Sequence, residues 1–238
     1  MTVLSGVLFL AGHTSRSQAY AQTLAAHQLL PAHALLLGEP EPQPQQPSAA
    51  TQVAGIFLPD LNIGLADSLR AANVPQTRLP ERDVNAPEVC AAILELAPRL
   101  IIFSGYGGQL VRAPLLELGI PLLHVHSGWL PDYRGSTTLY YSLLAERSCA
   151  ASAIVLDARI DTGPVVARKH YPAPPAGTDI DRRFDPAIRA DLLLQVLRGY
   201  HSTGHLAQEP QQGHDVGNTY YVIHPVLKHL ALLSLPPP

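Results

Sequence analysis

At 238 residues, with 47% hydrophobic and only 15% charged side chains, the chain can bury a core and is too apolar to be disordered. A formal net charge of −3, with all eleven histidines neutral, provides no basic field for neutralising phosphates and argues against a nucleic-acid partner. Cys90 and Cys149 cannot make a disulfide framework, and no apolar run approaches the roughly 20 residues that span a bilayer, so a cytoplasmic protein with no membrane contact is expected.

Residues 3–11 form an apolar run closed by Gly12. It resembles the core of a signal peptide but lacks a positive flank, and GHTSRSQ interrupts it; a buried first strand is the expectation. SRSQAYAQTLAAHQLL has helical spacing, with Ser15 or Ser17 as its N-cap. Pro31 closes that helix and AHALLLG reads as a second buried strand, a β-α-β start that points to a parallel sheet covered on both faces. EPEPQPQQPSAATQ (39–52) is too rich in Pro and Gln for helix or central strand and is expected as a surface loop. LADSLRAANV predicts a short helix, and APEVCAAILELAP another with Asn85 as N-cap and Pro87 in its first turn. RLIIFSG predicts a strand, YGGQLV a glycine-rich turn, APLLELG a short helix stopped by Gly119, and PLLHVH the next strand. TTLYYSLLAER then predicts a helix, and ASAIVLDA and GPVVARKHY two strands. Beyond PAPPAGTD, IDRRFDPAIRADLLLQVLRGYHSTG is an amphipathic helix with a break expected at Pro186, and TYYVIHPVLKHLALLSL a strand-like lead into a last helix starting near Pro225. The expected architecture is α/β, with a mostly parallel, Rossmann-like sheet over residues 1–175 and a small helical appendage over 176–238.

Open parallel sheets bind ligands at the carboxyl ends of their strands, and SGYGG, HVHSG and DARIDTGP all fall at expected strand ends. His124 and His126, two apart in a strand, face the same side. On the residues alone three readings stay open. Both histidines could be buried and hydrogen-bonded to loops. They could be two ligands of a metal with Asp161 as third donor, although zinc favours three or four protein ligands. They could serve acid–base chemistry, since imidazole titrates near neutrality. Asp161, ahead of Thr-Gly, reads by itself as a turn residue capping its own backbone.

Taken together, HVHSGWLPDYRGSTTLYYSLL and ASAIVLDARIDTGPVVARK resemble the formyltransferase family that uses 10-formyltetrahydrofolate. That family includes methionyl-tRNA, glycinamide-ribonucleotide and amino-sugar N-formyltransferases and a formyltetrahydrofolate hydrolase. Its pattern is Asn-x-His, a Leu-Pro-x-Tyr-Arg-Gly turn and a later Asp-x-Gly-Pro/Asp. His126, Leu130, Pro131, Tyr133, Arg134, Gly135, Asp161, Gly163 and Pro164 match it, within about residues 99–171. One position departs: His124 stands where the family has Asn.

The resemblance implies roles for these residues. His126 would polarise a formyl group and move protons. Asp161 would orient His126 or a water and favour the charged imidazole. Residue 124 would donate to the oxyanion, which an imidazole N–H can also do. It further implies 10-formyltetrahydrofolate as donor, held by Gly105, Tyr106, Gly107, Leu130, Pro131 and Asp157, with no metal. Arg134 could bind an anionic substrate group or brace its loop; Trp129 could wall the pocket or pack the core. Arg16, with the backbone N–H groups of GHTSRS, could hold a phosphate or remain a solvated arginine beside an N-cap. Arg182, Arg183 and Arg189 read as a solvated helix face, and Tyr220, Tyr221, His224 and Lys228 as packing residues or a cover for the cleft.

The function expected from this resemblance is formyl transfer to the amine of a small molecule, such as an amino sugar, amino acid or biosynthetic intermediate, within one-carbon metabolism. The absence of a basic surface and of a large C-terminal domain argues against a tRNA substrate. The alternatives are a hydrolase in which water replaces the amine, a binding protein that keeps the fold without the transfer, and a metal-dependent enzyme. The low surface charge permits homo-oligomers.

Overall fold

The computed structural model describes residues 1–40, 52–211 and 217–237. In chain order the elements are β1 (Thr2–Gly12), α1 (Ser15–Ala26), β2 (Leu29–Leu37), β3 (Gln52–Val53), β4 (Ile56–Phe57), α2 (Leu65–Ala71), β5 (Gln76–Leu79), α3 (Pro87–Leu96), β6 (Leu100–Ser104) and α4 (Ala113–Leu116). They continue with β7 (Leu122–His126), β8 (Tyr133–Gly135), α5 (Thr138–Glu146), β9 (Ser148–Val155), β10 (Val165–Pro172), a π-helical turn (Ile180–Phe184), α6 (Asp185–Thr203), β11 (Asn218–Tyr220) and α7 (Pro225–Leu233). Most of the loop expected at 39–52, namely residues 41–51, lies outside the described residues.

Seven strands form one sheet in the order β10-β9-β7-β6-β1-β2-β5. The five from β5 to β7 are parallel; β9 runs antiparallel to β7, and β10 pairs antiparallel with β9 and so returns to the common direction. The expected mostly parallel α/β sheet is therefore what forms, with one correction. Because β9 is reversed, its last residue Val155 lies opposite Leu123, at the start of β7, and the Asp161 loop does not leave from a shared carboxyl edge. It reaches the site by folding back.

Period-two alternation sorts β1 between two layers. Val7, Phe9 and Ala11 join a core with α1, α2, α5, α6 and α7; Leu8 and Leu10 join a second core with α3 and α4. Residues from both sides of position 175 share the first core. Nine residues of α6 are buried, and the helix packs on α1, β7, β9 and β10. Full burial of Phe184, Leu192, Leu193 and Leu197 contributes about 1.5–3 kcal/mol each. Pro186 does not break this helix: it occupies the first turn, where a missing N–H costs nothing, and the preceding π turn leads straight into it.

Two caps differ from expectation. The Thr14 side chain caps α1, because the Ser17 hydroxyl is used on Ser104, 2.8 Å from its Oγ. Asn85 does not cap α3; its amide donates to the Leu110 carbonyl and its Oδ1 accepts from the Arg112 N–H, leaving Ala86 at the N-cap. Among the described residues no helix is long and apolar enough to cross a membrane.

Candidate active site

The site forms where β1, β6 and β7 end. His126 closes β7 and is 4% exposed. Its Nε2 lies 2.7 Å from the Tyr133 carbonyl oxygen and 3.3 Å from Thr138 Oγ1, and its Nδ1 lies 3.4 Å from Asp161 Oδ2. A carbonyl only accepts hydrogen bonds, so Nε2 is the nitrogen that donates to Tyr133, and Nδ1 is the one turned toward the Asp161 carboxylate. The Nδ1 gap is longer than a good hydrogen bond.

Asp161 is held in place by its surroundings. Its Oδ2 accepts the Gly135 N–H at 2.9 Å, and its own carbonyl accepts from Gln211 Nε2 at 2.9 Å. Its backbone is left-handed, φ 53°. Two glycines make this approach feasible. A Cβ on Gly163 would stand 1.8 Å from the Val155 carbonyl oxygen. At Gly135, φ is +98° and a Cβ would stand 2.1 Å from the Tyr220 oxygen, because β11 pairs with β8 at that point.

His124 faces the same side of β7, with its ring 5.9 Å from that of Phe103. Its Nδ1 is buried and has no hydrogen-bond partner among the described residues. Burial holds its pKa well below the usual histidine range; the nearby Arg16, Arg189 and His126 push it the same way, and the Phe103 backbone partly opposes them. His124 is thus held as a neutral imidazole. His13, just past the end of β1, likewise keeps a buried ring nitrogen without a partner among the described residues. Orphaned buried polar atoms of this kind fit a site that a polar ligand completes.

Two guanidinium groups supply the local charge. Arg16 donates from Nε to Ser104 Oγ at 3.1 Å and from Nη2 to the Gly105 carbonyl. Burial, then the neighbouring Arg189, lowers its pKa to about 10, so it remains charged. Arg189 reaches from α6 to Ser127 Oγ at 2.7 Å and pairs with Asp185 at 3.2 Å. The expectation of a solvated face fails for Arg189, whose side chain is only 15% exposed. It stands within the apolar run PAIRADLLLQVL, and that run was the one signal for burial, since the i,i+4 pairing with Asp185 suits a solvated face equally.

The remaining expected residues are placed less directly. Tyr106 wedges its ring against Gly12, donates from its hydroxyl to the Leu37 carbonyl at 2.7 Å and lies under Arg82. Gly105 supplies a carbonyl to Arg16, and Gly107 stands in the open turn beyond. Leu130 is fully buried against Ile154 and Val165. Pro131 follows it at the β8 turn, where its carbonyl oxygen closely faces Gly217. Asp157 shapes its own loop, accepting from Thr162 Oγ1 at 2.8 Å and from the Arg159 N–H at 3.0 Å. Arg134 is 7% exposed within β8. Trp129 stacks on His170 at 4.1 Å, with the Arg168 guanidinium 5.7 Å from its ring centre. Among the described residues no three His, Cys, Asp or Glu side chains converge as a metal-binding group.

The sequence pattern of the formyl transferase family matches residues 15–184. The methionyl-tRNA formyltransferase of Chloroflexus aurantiacus is 34% identical over 145 residues, covering 59% of this chain and 45% of that protein. That of Roseiflexus castenholzii is 32% identical over 127 residues, covering 52% and 40%. The chain spans about half the length of the curated relatives it matches. Among solved structures, a sugar N-formyltransferase from Shewanella sp. superposes with TM-score 0.57 at 15% identity, covering 96% of this chain and 87% of that one. HypX from Aquifex aeolicus in complex with tetrahydrofolic acid gives 0.56 at 17% identity, covering 93% and 30%. These structural likenesses show a shared fold. The family match takes in α1, the His126 strand and the Asp161 loop, and on that match the chain belongs to the formyl transferase family.

Proposed function

We propose that the protein transfers a formyl group from 10-formyltetrahydrofolate to the amine of a small molecule that carries an anionic group, such as an acidic amino sugar, an amino acid or a phosphorylated biosynthetic intermediate. The observation that carries this reading is the His126–Asp161 pair, buried at the end of β7 and beside the orphaned nitrogen of His124. The amine nitrogen bonds to the formyl carbon, and the carbonyl electron pair moves onto oxygen. Collapse of the adduct breaks the bond from that carbon to N10 of the folate; N10 gains a proton and the amine loses one. His126 assists this proton movement and Asp161, facing its Nδ1, orients the ring. Neutral His124 offers an N–H to the developing oxyanion. Arg16 and Arg189, opposed only in part by Asp185, suit the anionic group of the acceptor.

Asp161→Asn and His126→Asn test these roles. Each is expected to lower turnover about 10²- to 10⁴-fold, the range for general acid–base groups, while folates still raise the melting temperature. Turnover equal to the parent in both variants would remove the pair from the chemistry. Hydrolysis, with water in place of the amine, is the second reading. It is favoured by the buried, orphaned Nδ1 of His124, which offers a polar partner for a water at the site.

A further inference from the structure

The loop that carries Asp161 is fastened by a residue well beyond it in the chain. Gln211, in the segment that follows α6, is 6% exposed. Its Nε2 donates to the Asp161 carbonyl at 2.9 Å and to the Gly163 carbonyl at 2.8 Å. Carbonyls only accept, so the amide presents its NH2 group to this loop and engages both hydrogens there. The Gln211 Oε1 is left buried, without a hydrogen-bond partner among the described residues. Two residues earlier the same segment is tied to the start of β10. The Val165 N–H donates to the Glu209 carbonyl and the Glu209 N–H to the Val165 carbonyl, each at 2.8 Å. That bridge delivers Gln211 to the loop. An outside fastening matters here, because Asp161 holds a left-handed backbone, φ 53°, that an ordinary residue adopts only at a cost.

We propose that Gln211 is a positioning residue for the reaction. Its hydrogen bonds go to the backbone of the Asp161 loop, so it acts through Asp161 and not on the reacting atoms. The Gly135 N–H restrains the carboxylate at Oδ2, and Gln211 restrains the backbone behind it. With Gln211 removed, Asp161 is tethered at one end only. Its Oδ2 stands 3.4 Å from His126 Nδ1, already longer than a good hydrogen bond, so a shift of about 1 Å in the loop parts the two groups. The effect on rate rests on the formyl-transfer reading above; the placement of Asp161 against His126 does not.

The test compares Gln211→Ala, Asp161→Asn and the double variant in the full chain. Gln211→Ala is expected to lower kcat about 10- to 100-fold, the scale of an ångström misplacement, with KM for the folate donor and the amine within about twofold of the parent. Because Gln211 acts through Asp161, its loss should cost nothing more once Asp161→Asn is in place. Nitrogen NMR on protein carrying isotopically labelled histidine reads the contact itself. The His126 Nδ1 signal, assigned by its absence in His126→Asn, should move in Gln211→Ala toward its position in Asp161→Asn. Gln211→Met keeps the size of the side chain and removes the donor, and it gives the same readings should the alanine variant fail to fold. A parental kcat in a folded variant, a loss that multiplies in full with that of Asp161→Asn, or an Nδ1 signal unmoved from the parent would overturn the proposal. If the parent transfers no formyl group, the reaction is what has failed, and the Nδ1 signal alone decides whether Gln211 places Asp161.

Discussion

Replacing Gly135 with alanine tests how the C-terminal strand holds the site. The backbone there has φ +98°, and the added carbon would stand 2.1 Å from the Tyr220 oxygen. Left-handed backbone costs an ordinary residue about 1–2 kcal/mol. The overlap cannot be relieved by a rotamer, because the obstacle is backbone. Either β8 and β11 separate, losing the Ser136 N–H to Tyr220 bond and its neighbours at about 1 kcal/mol each, or the Gly135 N–H leaves Asp161, a charge-assisted bond worth roughly 1.5–3 kcal/mol. The total is about 3–4 kcal/mol if the chain stays closed. In urea, with m near the upper end of the usual ~1–3 kcal/mol/M, the midpoint should fall by about 1 M or slightly more. If β11 peels away instead, the global loss is smaller, and residues 217–237 become sensitive to limited proteolysis. A variant with an unchanged midpoint and unchanged proteolysis would refute the reasoning.

Two further outcomes follow from the charges. In the folded protein the His124 pKa is depressed below the ordinary 6.5, so between that lowered value and 6.5 the unfolded chain binds more protons. Its contribution to stability is complete above about pH 6.5 and is lost as the pH falls below it; His124→Asn should therefore flatten the acid side of the stability curve, and equal slopes in parent and variant would show that His124 does not titrate on unfolding. Arg189→Gln removes the donor to Ser127 and leaves Asp185 without its partner, so a loss of about 1–3 kcal/mol in chemical denaturation is expected. The same variant should raise KM for anionic acceptors about 10- to 100-fold, the usual worth of a charge-assisted hydrogen bond, and change it little for neutral ones. Equal KM changes for both would place Arg189 outside acceptor binding.

Much of this architecture is legible in the chain because its patterns agree at several levels. PLLHVH is apolar with polar residues only at its end, so both its burial and the shared face of His124 and His126 follow from strand geometry. The direction of β9 does not follow. ASAIVLDA is apolar on both faces, and such a run reads the same whether parallel or antiparallel. What reverses it is the close connection from α5, in which the single residue Arg147 adopts φ 54°. Arg189 was illegible for a related reason: an i,i+4 ion pair looks alike on a wet and on a buried face, and only packing against α1 and the sheet makes the difference. Ser15 and Ser17 were the expected caps, yet Thr14 accepts the Ser17 N–H, and the Ser17 hydroxyl meets the distant Ser104, which no local pattern contains. The meeting of His126 with Asp161 was legible as a combination, although each residue alone suits an ordinary structural role.

Formyl transfer is tested most directly by following the label from isotopically marked 10-formyltetrahydrofolate, with and without a panel of small amines bearing carboxylate or phosphate groups. The arrangement of His126, Asp161, Arg16 and Arg189 predicts label in an N-formylated amine, appearing only when an acceptor is present. Labelled formate released at the same rate with no acceptor would contradict it.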